Sequence, residues 1–164
     1  MTLHVETGTD NKILRTVSAP VEKITGELRM FALDMVRTML AEKGVGLAAP
    51  QVGRNIRLIV CTLNPGEKDE AYVPMLNPAI LEKSDKAVLG EEGCLSLPKT
   101  WGQVKRAKEI TVSFTDFNGK THTIELEDFN ARVVQHEIDH LDGILFIDKA
   151  KNIKENNTEN VTNI

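Results

Sequence analysis

Apolar residues along this chain follow a helical period in two stretches and a strand-like pattern in the region between them. Between Thr25 and Lys43, Leu28, Ala32, Met35, Met39 and Leu40 recur at helical spacing while Arg29, Asp34 and Arg37 take other positions. This predicts a helix capped by Thr25, stopped by Gly44, and packed through its apolar stripe. Asn55 to Leu63 reads as a strand carrying Ile56, Leu58, Ile59 and Val60, with Cys61 as a small buried hydrophobe. Tyr72 to Leu81 is apolar but interrupted by Pro74 and Pro78, which predicts a short strand or one at a sheet edge. Ile110–Phe117 and Lys120–Leu126 alternate around Asn118-Gly119, the pair that favours a hairpin with a type I′ turn. A second helix is predicted from Asp128, as cap, to Leu141, with Asp142-Gly143 ending it. From Lys149 onward the chain is polar and is expected to fray or be weakly helical, so residues 1–150 form the domain and 151–164 a tail.

At 164 residues, with 41% hydrophobic and 27% charged positions, the chain suits one globular domain. Aromatics are only 4%, so the core must be built from Leu, Ile, Val, Met and Ala. A formal charge of -4 argues against a nucleic-acid binder that works by neutralising phosphates. No apolar run approaches the roughly 20 residues needed to span a bilayer. Met1 to Asp10 lacks the basic-then-apolar pattern of a signal peptide, so a cytoplasmic location is expected. With only two cysteines, Cys61 and Cys94, no disulfide framework is implied, and a reducing compartment would leave Cys94 available as a thiol.

Chemistry concentrates in His136-Glu137-Ile138-Asp139-His140. Residues four apart on a helix are neighbours, so both imidazoles can reach one ion, with Glu137 beside it to handle a proton. The same five residues also suit an amphipathic helix with surface histidines. Two features favour a metal site: this stretch holds two of the four histidines, and Val133, Val134, Ile138 and Leu141 suggest a buried face. Two histidines leave a catalytic ion short of one protein ligand. No histidine follows His140, and Asp142 lies too close to it for a typical downstream ligand. Upstream, Glu91-Glu92-Gly93-Cys94-Leu95-Ser96 offers a thiol between strands, although Cys94 alone would be read as buried and inert. Gly44-Val45-Gly46-Leu47-Ala48-Ala49-Pro50-Gln51 reads by composition as a tight loop that lets backbone approach a ligand or a strand.

Together, Gly44–Gln51, Glu92–Ser96 and Gln135–Gly143 resemble the peptide deformylases, in that family's order and separations, within a likeness running from about Asp10 to Lys149. The resemblance implies an α+β fold with antiparallel β-sheets packed around the helix that carries the histidines. It implies hydrolytic removal of the N-formyl group from the initiator methionine of nascent polypeptides, releasing formate. It assigns one divalent ion to Cys94, His136 and His140: commonly ferrous iron, with zinc, nickel or cobalt able to replace it. Glu137 becomes general base and then acid, and Gln51 with the Leu95 backbone N–H become donors to the oxyanion. Val45, Gly46 and Val133 lie along the substrate and its methionine pocket, and Glu92 with Arg106 form a supporting ion pair. The implied partner is an N-formyl-Met nascent peptide met near the ribosome, by a monomer with no direct nucleic-acid or membrane contact.

Two stretches depart from the family pattern. Trp101 replaces a common arginine, which puts peptide preference beyond methionine in doubt, and Asp128-Phe129-Asn130 replaces a glycine and leucine run before the catalytic helix. Lys151 and Lys154 are balanced by Glu155 and Glu159, so the tail offers no strong electrostatic docking. Two other readings stand beside this one: a metalloendopeptidase with a different third ligand, and a non-catalytic protein with a structural metal.

Overall fold

Thr25 opens the first helix, α1 (Gly26–Ala41), and its hydroxyl accepts a hydrogen bond from the Leu28 N–H at 3.1 Å. The computed structural model describes residues 1–155 and 163–164. Lys43, rather than Gly44, takes the left-handed position after α1 (φ 56), and the Gly44 N–H returns to the Met39 carbonyl. Leu28, Ala32, Met35 and Met39 are buried as expected, whereas Leu40 is exposed and Thr38 takes its inward place. Thr38 is tolerated there because its hydroxyl donates to the Asp34 carbonyl and accepts from the Leu3 N–H.

The strands are β1 (Gly46–Ala48), β2 (Leu58–Leu63), β3 (Ala71–Lys83), β4 (Ala87–Cys94), β5 (Leu97–Ala107), β6 (Glu109–Thr115), β7 (Thr121–Glu127) and β8 (Lys151–Glu155). They form a five-stranded sheet in the order β1-β2-β3-β6-β7 and a three-stranded sheet in the order β4-β5-β8, every pairing antiparallel. The second helix, α2 (Asp128–Leu141), packs on β1 and β2 of the first sheet and β5 of the second. The expected α+β arrangement around this helix is therefore what the chain adopts.

Three expectations are corrected. The segment with Pro74 and Pro78 is a 13-residue strand at the centre of the large sheet, neither short nor at an edge. It tolerates both prolines because β3 changes partner. Residues 71–76 pair with β2, β6 pairs only from Leu76 onward, and Pro78 falls in the register shift between Leu76 and Ala79. The hairpin loop is Phe117-Asn118-Gly119 rather than a two-residue turn. Only Gly119 has positive φ (82), and the Asp116 carboxylate accepts from the N–H groups of Asn118 and Lys120, favouring the longer loop. Of the polar stretch after Lys149, Lys151–Glu155 forms β8, where Thr100, Trp101 and Gln103 of β5 offer an open edge, and the part of the expected tail over 156–162 lies outside the described residues.

The boundaries of α2 are partly as expected. Asp128 does not cap it: no side chain bonds its start, and Asp128 itself has φ 50. Gly143 does end it, with φ 72 and the Ile144 N–H bonded to the Asp139 carbonyl. Ile59, Met75, Val112, Val134, Ile138 and Leu141 form the core between α2 and the large sheet, while α1 covers Leu47, Leu58, Val60 and Leu76. Thr25→Ala should destabilise the protein by about 1 kcal/mol, read as a lower urea midpoint at unchanged slope.

Candidate metal centre

Helical spacing brings the His136 and His140 rings to 5.0 Å centroid separation, both almost wholly buried. Cys94, the last residue of β4, reaches the same point from the small sheet, with its sulfur 3.3 Å from His140 Nε2. One ligand atom from each of the three residues lies within 4.8 Å of the others. Around a tetrahedral ion with ordinary bond lengths, a sulfur and a nitrogen ligand stand about 3.5 Å apart. His136 Nε2 and both Glu137 carboxylate oxygens are buried without hydrogen-bond partners among the described residues. Orphaned acceptors converging beside a thiol and two imidazoles fit a soft or borderline divalent cation. His140 Nδ1 is also unpartnered, and nothing among the described residues accounts for it.

Behind His136 stands Glu92, fully buried. Its carboxylate accepts from His136 Nδ1 at 2.8 Å, from Arg106 at 2.9 and 2.8 Å, and from Arg132 at 2.6 Å. Protonation at Nδ1 leaves the Nε2 lone pair free for an ion. The expected Glu92–Arg106 pair is present, but Arg132 was not anticipated. Arg132 also donates to the Val104 and Val88 carbonyls, tying α2 to β4 and β5. Its signal lay in the sequence as a charge set directly before Val133-Val134 on a helix otherwise expected to be buried. Asp139, paired with Arg106 and Lys149, extends the network outward. Gln135 clamps the end of β5, exchanging hydrogen bonds with the Ala107 N–H and carbonyl.

The first motif, Gly44–Gln51, is more structured than composition suggested, with β1 followed by a 3-10 turn over Ala49–Val52. This turn buries Gln51, whose Oε1 accepts from the Ala48 N–H while Nε2 donates to Ser96 Oγ at 3.2 Å and faces Cys94 sulfur at 3.5 Å. Gly46 lies against the Glu137 carboxylate so closely that a Cβ there would sit 2.2 Å from Oε1. Val133 is buried and Val45 half-buried within one apolar cluster, and Leu95 directly follows Cys94. Trp101 lies flat on Gly93, where a Cβ would meet the ring at 2.0 Å, and its strand is covered by β8. In the divergent run, which forms the first turn of α2, Asn130 exchanges hydrogen bonds with Asn64.

Burial dominates the titration of this site. It pushes the Cys94 thiol up to about 12 and, with the nearby Glu92 charge, raises Glu137 well above the usual carboxyl range. It also holds His136 and His140 below the ordinary imidazole value, in the neutral form that ligation needs. Burial opposes ionisation of Glu92 too, but the hydrogen bonds from Arg106 and His136 outweigh it and hold the carboxyl well below its usual range. A depressed folded pKa stabilises above the unfolded value and loses that contribution as the pH falls. The urea midpoint should therefore drop below about pH 4.5, the ordinary glutamate value. Glu92→Gln should flatten that dependence; an unchanged slope would show that Glu92 is not its source.

Residues 5–156 match the polypeptide deformylase family. A peptide deformylase of Afipia carboxidovorans is 46% identical over 144 residues, spanning 88% of this chain and 84% of its own. The peptide deformylase of Thermotoga maritima has a similar structure (TM-score 0.86, 36% identity), covering 92% of this chain and 99% of that one. A class I type b enzyme from Acinetobacter baumannii, solved with Met-Ala-Ser bound, gives a TM-score of 0.83 at 41% identity, covering 91% of this chain and 98% of that one. Matched over most of its length in both sequence and fold, the chain belongs to the polypeptide deformylase family and is a hydrolase that removes the N-formyl group from nascent polypeptides.

Proposed function

We propose that Cys94, His136 and His140 hold the catalytic ion and that Glu137 carries the proton in deformylation. The observation that carries this reading is the convergence of three buried ligand atoms within 4.8 Å beside an unpartnered Glu137 carboxylate. A divalent cation there supplies, when bound, a positive charge that acidifies water and polarises the formyl carbonyl. Glu137 accepts a proton from the attacking water and delivers it to the amine nitrogen as the C–N bond breaks, leaving formate and a free N-terminus. The Gln51 amide, held between Ala48 and Ser96, and the Leu95 N–H donate to the developing oxyanion; one such donor is typically worth about 3 kcal/mol. Val45, Gly46 and Val133 receive the methionine side chain and the adjoining backbone.

A thiolate with two imidazoles accepts both iron and zinc, and we assign ferrous iron as the native ion because the resemblance favours it. Residues 1–150 carry this chemistry, in a monomer acting in a bacterial-type cytoplasm on formyl-Met chains near the ribosome. No described helix is long and apolar enough to cross a membrane.

Glu137→Ala should retain metal while formate release from a formyl-Met peptide collapses; persisting activity would remove Glu137 from its role. Cleavage of an unblocked peptide without formate release would instead favour an endopeptidase. Gly46→Ala forces Glu137 aside and should lower turnover by about a hundredfold with the metal retained. Protein purified without air should contain iron and lose activity on oxidation; zinc content with air-stable activity would overturn the iron assignment.

A further inference from the structure

Two residues near the end of the described chain, Asn163 and Ile164, lie against the strand that carries Val45 and Gly46. Asn163 forms a parallel bridge with Gly44, and its carbonyl accepts the Val45 N–H at 3.0 Å. Ile164 is 1% exposed and belongs to the same buried cluster as Val133, Val134 and Ile138, with Val45 packed on it. The edge used is not a neutral one. Val45 precedes Gly46, whose Cα abuts the Glu137 carboxylate, and a Cβ on Gly44 would press against the Leu95 side chain at 2.9 Å. By contrast, every residue of β8 is exposed.

We infer that the segment Asn163–Ile164 is an intramolecular occupant of the peptide-binding cleft, with Ile164 seated where the substrate's methionine side chain goes. The inference rests on the assignment of Val45, Gly46 and Val133 to that pocket. An apolar side chain and one main-chain hydrogen bond are what the cleft offers an extended peptide, and Asn163–Ile164 takes both. A segment tethered to the enzyme competes at high effective concentration without needing high intrinsic affinity. The substrate must displace it, so its occupancy raises KM and leaves kcat unchanged.

Full-length, metal-loaded protein is compared with Ile164→Asp and Ile164→Ala, using Met-Ala-Ser as the calorimetric probe. Amide hydrogen exchange at Val45 is followed in parallel. A segment seated about four-fifths of the time weakens binding about fivefold. Ile164→Asp should therefore bind the tripeptide about five times more tightly, show a matching fall in KM for a formyl-Met peptide, and lose protection at Val45. Ile164→Ala should be intermediate. Equal protection at Val45 in all three proteins would overturn the docking, and equal tripeptide affinity with altered protection would overturn the competition. Failure of every variant to bind the tripeptide or release formate would bring down the deformylase assignment of the cleft, and the competition with it.

Discussion

Charge balance around the buried Glu92 carboxylate is the constraint on which the centre depends. One carboxylate accepts from two guanidiniums and one imidazole, drawn from two elements: Arg106 from β5, Arg132 and His136 from α2. A charge taken out of water must be met by partners of good geometry, because losing one of them leaves the others uncompensated at a cost of about 3–5 kcal/mol. The small sheet is thereby locked to the central helix. The His136 ring is fixed in the same contact, with Nδ1 committed and Nε2 free. Glu92 thus sets fold register and ligand orientation together.

Glu137 sits in the opposite situation, one residue along the helix from His136. Among the described residues it has no hydrogen-bond partner, and burial disfavours its charged form. One glutamate is thus fully paired and the other left free to exchange a proton in the role proposed for it. The main chain at Gly46 completes the arrangement by closing over Glu137 without a side chain to displace it. Along the same edge, the Val45 main-chain N–H donates to the Asn163 carbonyl.

Trp101 shows how a departure from the family pattern is absorbed. Its indole fills the seat over Gly93, and β8 runs alongside its strand. The divergent run in the first turn of α2 is held through the amide pair of Asn130 and Asn64. The Asn130 amide is paired, whereas the buried Trp101 indole N–H has no hydrogen-bond partner among the described residues.

What could be read in the sequence was local. The period of Leu28, Ala32, Met35 and Met39, the Thr25 cap, the Gly143 stop and the spacing of His136 and His140 each depend on neighbours within a turn or two. The three motifs, taken in order, carried the family and its chemistry. What the tertiary structure alone decided involves partners far apart in the chain. Proline predicted an edge for β3, but edge or centre depends on which strand lies alongside, and β3 switches from β2 to β6 as its prolines pass. Composition made the stretch after Lys149 a polar tail, but an open strand edge on β5 made Lys151–Glu155 a strand. Arg132 looked like an ordinary helix residue until β4 and β5 supplied the acceptors that bury it. Cys94, read alone as an inert thiol, became a candidate ligand because the end of β4 meets the imidazole face of α2, bringing its sulfur to a His140 that lies 46 positions further along the chain.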